Sequence, residues 1–150
     1  MTQANLPERR RALLHPGLIA AGATLLIAVF VSDLLYWQTL LFQYNNASGW
    51  LLAGGLVLVF LAAIAFVIDL ALGRMGRVAW LRFTGLTVAA LLGLLNAFVH
   101  SRDAYTAVVP EGITLSAIVT VILLVVGLGG GWSLASHRIV PLPPTRDARS

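Results

Sequence analysis

The chain has 150 residues, of which 59% are hydrophobic and 11% charged; it contains no cysteine, and its formal charge is +4. Long segments carry almost no charge, so the composition excludes an ordinary soluble domain and indicates a membrane protein. The absence of cysteine excludes disulfides and thiolate metal sites, and arginines grouped at segment ends, with no continuous basic patch, exclude nucleic acid as a partner.

Four apolar segments follow a polar, basic stretch at residues 1–12, which we expect to be disordered. Each segment is long enough to cross a hydrocarbon core of roughly 30 Å. The predicted spans are residues 16–37, 49–72, 78–100 and 112–134. A charged tail with several prolines, residues 139–150, is expected to be disordered, so the structured domain is predicted to cover residues 13–138.

The connectors between the predicted spans are short and contain turn-forming residues. These residues are Asn45, Asn46 and Ser48 in the first connector, Gly73 and Gly76 in the second, and Pro110 and Gly112 in the third. Short connectors make neighbouring spans antiparallel. The sequence therefore predicts an all-α integral membrane four-helix bundle with up-down-up-down topology.

Arginines are distributed unequally between the two sides of this predicted bundle. Nine lie on the side of the two termini and the second connector: Arg9, Arg10, Arg11, Arg74, Arg77, Arg82, Arg138, Arg146 and Arg149. The opposite side has only Arg102. The positive-inside rule therefore places both termini in the cytoplasm. Trp37 and Trp50 are expected at the outer interface, and Trp80 and Trp132 at the inner one.

Small and polar residues indicate which face of each span points into the bundle, because membrane helices associate through close packing and interhelical hydrogen bonds. In the third span such residues form one narrow stripe: Arg82, Gly85, Ala89, Gly93, Asn96 and His100. Gly85, Ala89, Gly93 and Asn96 are the predicted helix-packing seam. The first span presents His15, Gly22 and Asp33 on one face in the same way.

Ionisable residues are predicted in two layers, one near each membrane surface. Asp33 is expected to pair with His100 or Arg102 in the outer layer, and Asp69 with Arg82 or Arg74 in the inner layer. Such residues are functional candidates by default, but we favour interhelical contacts. The centre of the membrane has almost no ionisable group, which argues against a transport pathway.

Two histidines, His15 and His137, are predicted at the same depth on the first and fourth spans. Two imidazoles so placed could ligate the iron of haem b from both sides. The alternative, which we favour, is that both are interface histidines that hydrogen-bond to backbone, lipid phosphate or Asp69. The sequence has no catalytic motif, so we predict no enzyme, no catalytic residue and no metal site, and we favour the absence of a cofactor over haem b.

Four short motifs resemble a bacterial membrane-protein family called domain of unknown function 2231. They are Leu14-His15-Pro16, the segment 32–37, the segment 50–55 running on to Asp69, and Gly129-Gly130-Gly131 followed by His137-Arg138. The resemblance implies a four-span bundle in the bacterial inner membrane with no established activity, and an accessory or electron-passing role beside periplasmic quinoprotein dehydrogenases. Similar proteins carry a histidine near the start of the third span, which this sequence lacks.

The leading functional hypothesis is a non-catalytic accessory subunit of a respiratory or periplasmic-oxidation system. This subunit would bind haem b only if the histidines ligate the iron. The alternative is a cofactor-free membrane scaffold or assembly protein, which the missing histidine and the apolar centre favour. Both hypotheses predict the lipid bilayer as the environment, and a membrane-protein partner or a second copy of the chain as the binding partner.

Overall fold

A computed structural model describes residues 13–74, 77–101 and 108–135 of the chain. The described residues include four long helices, and each is long and apolar enough to cross a membrane. We number them in chain order: α1 is His15–Thr39, α2 is Phe42–Ala71, α3 is Trp80–His100 and α4 is Glu111–Leu128. The all-α architecture expected from the sequence is therefore confirmed. The predicted disordered ends, residues 1–12 and 139–150, lie outside the described residues.

The first connector is much shorter than the sequence suggests. It consists of Leu40 and Leu41, because Leu40 adopts a left-handed conformation with φ 55° and its N–H donates to the carbonyl oxygen of Tyr36 at 2.7 Å. α2 therefore begins at Phe42, and the predicted turn residues Asn45 and Asn46 are helical. The sharp turn at Leu40 reverses the chain without glycine or asparagine, so the sequence predicts the loop at the polar residues that follow it instead.

The end of α4 also differs from the prediction. The helix stops at Leu128, six residues before the predicted end of the span, and Gly131 adopts a positive φ of 74°. The following segment turns back towards the bundle: the N–H of Ala79 donates to the carbonyl oxygen of Leu134 at 2.8 Å, and Val78 forms an antiparallel bridge with Ala135. This bridge joins the beginning of α3 to the segment after α4.

Each helix packs against two others. α1 contacts α2 and α4, and α3 contacts α4 and α2. The contact between α1 and α2 is close because Gly22 and Gly55 face each other: a Cβ added at Gly55 would lie 2.9 Å from the Leu26 side chain. Small residues thus let the two backbones approach, as expected for membrane helices.

The centre of the bundle is apolar. Its largest cluster of buried residues draws on all four helices: Ala23, Leu26, Val29, Leu52, Ala89, Val119 and Leu123. The outer surface is apolar as well, with Phe60 66% exposed and Val125 66% exposed. A water-soluble protein would bury such side chains, whereas a protein in lipid leaves them on the outside.

Candidate functional site: two buried carboxylate clusters

Asp33 is the centre of a polar cluster to which every helix contributes one side chain. The carboxylate, on α1, is fully buried. Its Oδ1 accepts a hydrogen bond from the Ser48 hydroxyl of α2 at 2.6 Å and lies 3.0 Å from Nε2 of His100 on α3. Its Oδ2 accepts from the Ser116 hydroxyl of α4 at 2.7 Å. We call Asp33, Ser48, His100 and Ser116 the Asp33 cluster.

The connectors explain why these four residues meet. Asp33 lies near the end of α1 and Ser48 near the beginning of α2, only two helical turns from the Leu40 reversal. His100 is the last residue of α3, and Ser116 is in the second turn of α4. The cluster therefore lies at the end of the bundle where the first and third connectors are found.

Hydrogen-bond chemistry fixes how many protons the Asp33–His100 pair holds. Nδ1 of His100 lies 3.1 Å from the backbone carbonyl oxygen of Asn96, which can only accept, so Nδ1 carries a proton. Nε2 faces a carboxylate oxygen at 3.0 Å, and a second proton must lie between these two atoms. One proton therefore lies between Oδ1 of Asp33 and Nε2 of His100, and the pair is neutral overall.

Two polar side chains lie one helical turn further into the bundle from this cluster. Asn96 precedes His100 by four residues on α3, and Thr120 follows Ser116 by four residues on α4. Asn96 is 1% exposed and Thr120 is 7% exposed. Neither the Asn96 amide nor the Thr120 hydroxyl has a hydrogen-bond partner among the described residues. Burying a polar group without a hydrogen-bond partner in an apolar interior is energetically unfavourable. Asn96 and Thr120 therefore mark the inner limit of the polar region.

Asp69, on α2, is the centre of a second polar cluster. Its Oδ2 accepts from Nδ1 of His15 at 2.8 Å and from the backbone N–H of Leu14 at 2.9 Å, and Oδ1 lies 3.3 Å from Nη1 of Arg74. His15 and Asp69 are both fully buried, whereas the Arg74 side chain is 21% exposed. We call Leu14, His15, Asp69 and Arg74, together with Leu134, the Asp69 cluster.

The protonation of His15 is also fixed by its partners. The backbone N–H of Leu134 donates to Nε2 of His15 at 3.1 Å, so this nitrogen is an acceptor without a proton. Nδ1 then carries the proton and donates it to Asp69. His15 is neutral, and the charge of Asp69 is balanced by Arg74. Because both ring nitrogens are engaged and the ring is buried, His15 does not fit the role of a haem ligand in this arrangement.

Arg82 contacts the segment after α4 and not Asp69. Its Nη1 donates to the carbonyl oxygen of Ser133 at 2.9 Å, and a Cβ added at Gly130 would overlap its guanidinium group. Of the two arginines that the sequence offered to Asp69, the structure brings Arg74 to the carboxylate. Gly130 thus provides space for Arg82, which explains one residue of the glycine run.

The two clusters are separated by an apolar interior. His15 and Asp33 are 18 residues apart on α1, which corresponds to about 27 Å along the helix axis. Between them lie Ala23, Leu26 and Val29, all buried. Along α1, therefore, no described polar side chain connects one cluster to the other through the core.

The other predicted site residues are placed as follows. Ala89, Gly93 and Asn96 of the packing seam are buried, and Gly85 packs so closely that an added Cβ would lie 2.8 Å from Val126. Arg102, the second predicted partner of Asp33, and His137, the second predicted haem ligand, lie outside the described residues. Trp132, expected at the inner interface, packs against the buried core beside Gly127.

The sequence does not predict that Ser48 and Ser116 donate hydrogen bonds to Asp33. The sequence predicts Ser48 in a turn together with Asn45 and Asn46. Ser116 lies in the predicted fourth span, and no motif in the sequence connects it to Asp33. A usable signal existed: a carboxylate inside a span needs hydrogen-bond donors at its own depth, and small hydroxyl residues on facing helices supply them.

Metal binding has no support within residues 13–74, 77–101 and 108–135, where no three His, Cys, Asp or Glu side chains come together as a possible metal site. The described carboxylates of both clusters are instead engaged by hydrogen bonds between chain segments. In comparisons with known proteins, the family model described as "Predicted membrane protein (DUF2231)" matches residues 11–141. No curated protein and no solved structure matches the chain.

Proposed function

Because the chain belongs to the family of predicted membrane proteins called domain of unknown function 2231, we propose that it is a non-catalytic accessory or scaffold protein of the bacterial inner membrane that binds no cofactor. The observation that carries this proposal is the Asp33 cluster, in which one buried carboxylate accepts contacts from all three other helices. A carboxylate occupied in this way holds the helices together.

The proposed topology is up-down-up-down with both termini in the cytoplasm. Contacts between the beginning of α1 and the end of α2, and between the end of α1 and the beginning of α2, support antiparallel neighbours. The nine arginines on the side of the termini support a cytoplasmic location. We place the Asp69 cluster on that side and the Asp33 cluster on the opposite side.

The native chain has no cysteine, so the topology can be tested with single cysteines. Ser101→Cys, at the end of α3, should react in intact cells with a thiol reagent that does not cross membranes. Ser150→Cys, at the carboxyl terminus, should react only after the cells are broken. The opposite pattern would place the termini outside.

Haem binding is the alternative cofactor hypothesis, and the engagement of both His15 nitrogens argues against it. We expect a flat visible spectrum, oxidised and dithionite-reduced, from detergent-purified protein made with ample haem supply. A sharp b-type band that is lost in His15→Ala and His137→Ala but kept in His100→Ala would make the protein an electron carrier and overturn the proposal.

A respiratory or periplasmic-oxidation complex is the proposed partner. Crosslinking in intact membranes, followed by affinity purification and mass spectrometry, should recover the same membrane oxidoreductase with the full chain in each repeat. Recovery of only crosslinked copies of this chain would favour a homo-oligomer and remove the accessory role, while leaving the cofactor-free scaffold in place.

A further inference from the structure

A groove of about 370 Å³ lies between α2 and α3, in the half of the bundle that contains the Asp69 cluster. Its walls are formed by Ala63, Phe66 and Val67 of α2 and by Thr87, Ala90 and Leu91 of α3. The groove is open to the side: Val67 is 61% exposed and Leu91 57% exposed. It is therefore a lateral opening in the helix bundle and not an enclosed cavity.

The packing of α2 against α3 explains why this space remains. The two helices approach closely at Gly93, where an added Cβ would lie 3.5 Å from the Leu56 side chain. Nearer the connector, the stacked rings of Phe66 and Phe83 occupy the space between the helices, with centroids 5.5 Å apart. Ala63 and Ala90, between these two points, are too small to fill the gap.

The position and lining of the groove indicate that its ligand is an apolar chain. The opening faces outward from helices that are apolar enough to span a membrane, so it faces lipid hydrocarbon. On α2 the lining extends from Val59 to Val67, about 12 Å along the helix axis. A straight acyl chain lying along the two helices fits this shape.

The connector end of the groove lies at the depth of lipid headgroups and carries positive charge. Trp80, 69% exposed, begins α3 at this end, as an interfacial tryptophan would. Arg77, in the connector that joins α2 to α3, is exposed, and its side chain makes no hydrogen bond to another described residue. Arg74 is already paired with Asp69, and Arg82 with Ser133. Arg77 is thus the described arginine available to a phosphate.

We propose that this groove is a lipid-binding site, in which one acyl chain of an anionic phospholipid lies between α2 and α3 and Arg77 binds the phosphate of its headgroup. A guanidinium group binds phosphate through two parallel hydrogen bonds. The positive charges at this end, on Arg74, Arg77 and Arg82, outnumber the single negative charge of Asp69. The local charge therefore complements an anionic headgroup and not a zwitterionic one.

The test is native mass spectrometry of the full chain, delipidated in detergent and then given phosphatidylglycerol or phosphatidylcholine of identical acyl chains at equal concentration. The wild type should retain one phosphatidylglycerol per chain and less phosphatidylcholine. Arg77→Gln should lose the preference for phosphatidylglycerol by about fivefold, the factor expected for one basic residue near a headgroup. Arg77→Lys should keep it.

The groove itself is tested by filling it. Ala63→Phe places a ring between the walls and should abolish the retained lipid, whereas the control Ala21→Phe, at an exposed alanine of α1 outside the groove, should leave it bound. If Ala63→Phe loses helical content, Ala90→Leu on the opposite wall provides the same test. Equal retention in the filling and control variants would overturn the proposal. A dimer mass that Ala63→Phe abolishes would do so as well, by assigning the groove to a second copy.

Discussion

The two carboxylate clusters differ in how their charge is balanced. Asp69 is balanced by Arg74, whose side chain is 21% exposed, and its remaining partners are His15 and the backbone N–H groups at the beginning of α1. Asp33 is balanced by a proton shared with His100, and its remaining partners are two serine hydroxyls. Both arrangements leave a neutral group of side chains inside the bundle.

This difference indicates how much stability the bundle loses when each carboxylate is removed. If Asp69 is removed, Arg74 can turn towards the headgroups, because it is already partly exposed. If Asp33 is removed, His100, Ser48 and Ser116 lose a common acceptor, and the His100 side chain is only 3% exposed. We therefore expect the Asp33 cluster to contribute more to the stability of the bundle than the Asp69 cluster.

The largest effect is expected for Asp33→Ala. It leaves a buried imidazole and two hydroxyls without their acceptor, so the free energy of unfolding should fall by about 3–5 kcal/mol. Unfolding of the purified protein in mixed micelles at increasing denaturing-detergent content measures this loss. Asp33→Asn is the matched control, because its amide can accept from one serine and donate to a neutral His100. A loss as large for asparagine as for alanine would contradict the hydrogen-bond assignment.

A smaller effect is expected for Asp69→Asn. The amide oxygen of the new side chain can still accept from His15, and Arg74 can be solvated, so the free energy of unfolding should fall by about 1–2 kcal/mol. The same titration measures it. If this variant is less stable than Asp33→Asn by more than the error, the ranking of the two clusters is wrong.

Within the Asp33 cluster, the serines should contribute less than the carboxylate. Ser116→Ala removes one interhelical hydrogen bond and should lower the free energy of unfolding by about 1 kcal/mol. Thr120→Val, one turn away on the same helix, removes a hydroxyl that has no partner among the described residues, and no loss of stability is expected. Equal losses in the two variants would mean that Thr120 has a partner.

The last prediction needs no substitution. It is checked by nitrogen-15 NMR of the histidine rings in the unmodified protein at neutral pH. His15 should show one protonated nitrogen and one without a proton, because Nε2 accepts from Leu134. His100 should show a protonated Nδ1, because this nitrogen faces the carbonyl oxygen of Asn96. His15→Ala and His100→Ala assign the signals. A His100 ring without a proton on Nδ1 would contradict the contact with Asn96.

Much of the architecture could be predicted from the sequence, because span length and small-residue spacing are local properties. The four long apolar segments and the burial of Ala89, Gly93 and Asn96 on one face of α3 follow directly from them. Helix ends were less predictable. The reversal depends on a positive φ at Leu40, which a leucine does not predict, and the glycine run after Leu128 admits many backbone conformations.

The polar clusters were predicted only in part, for the same reason. Placing residues by depth was enough to suggest Asp33 with His100 and Asp69 with Arg74, since ionisable groups in a membrane need partners at their own depth. Depth alone does not show whether Arg82 or Arg74 pairs with Asp69. That choice depends on the segment after α4, which turns back and offers the Ser133 carbonyl oxygen to Arg82.

By itself, the sequence determined that this is a membrane protein of four long apolar helices, because composition and span length are properties of the chain and of the bilayer. Only the tertiary structure decided that Ser48 and Ser116 complete the Asp33 cluster, and that Leu134 fixes the proton of His15. The physical reason is that a hydrogen bond depends on the position of both partners, and the packing of the helices sets those positions.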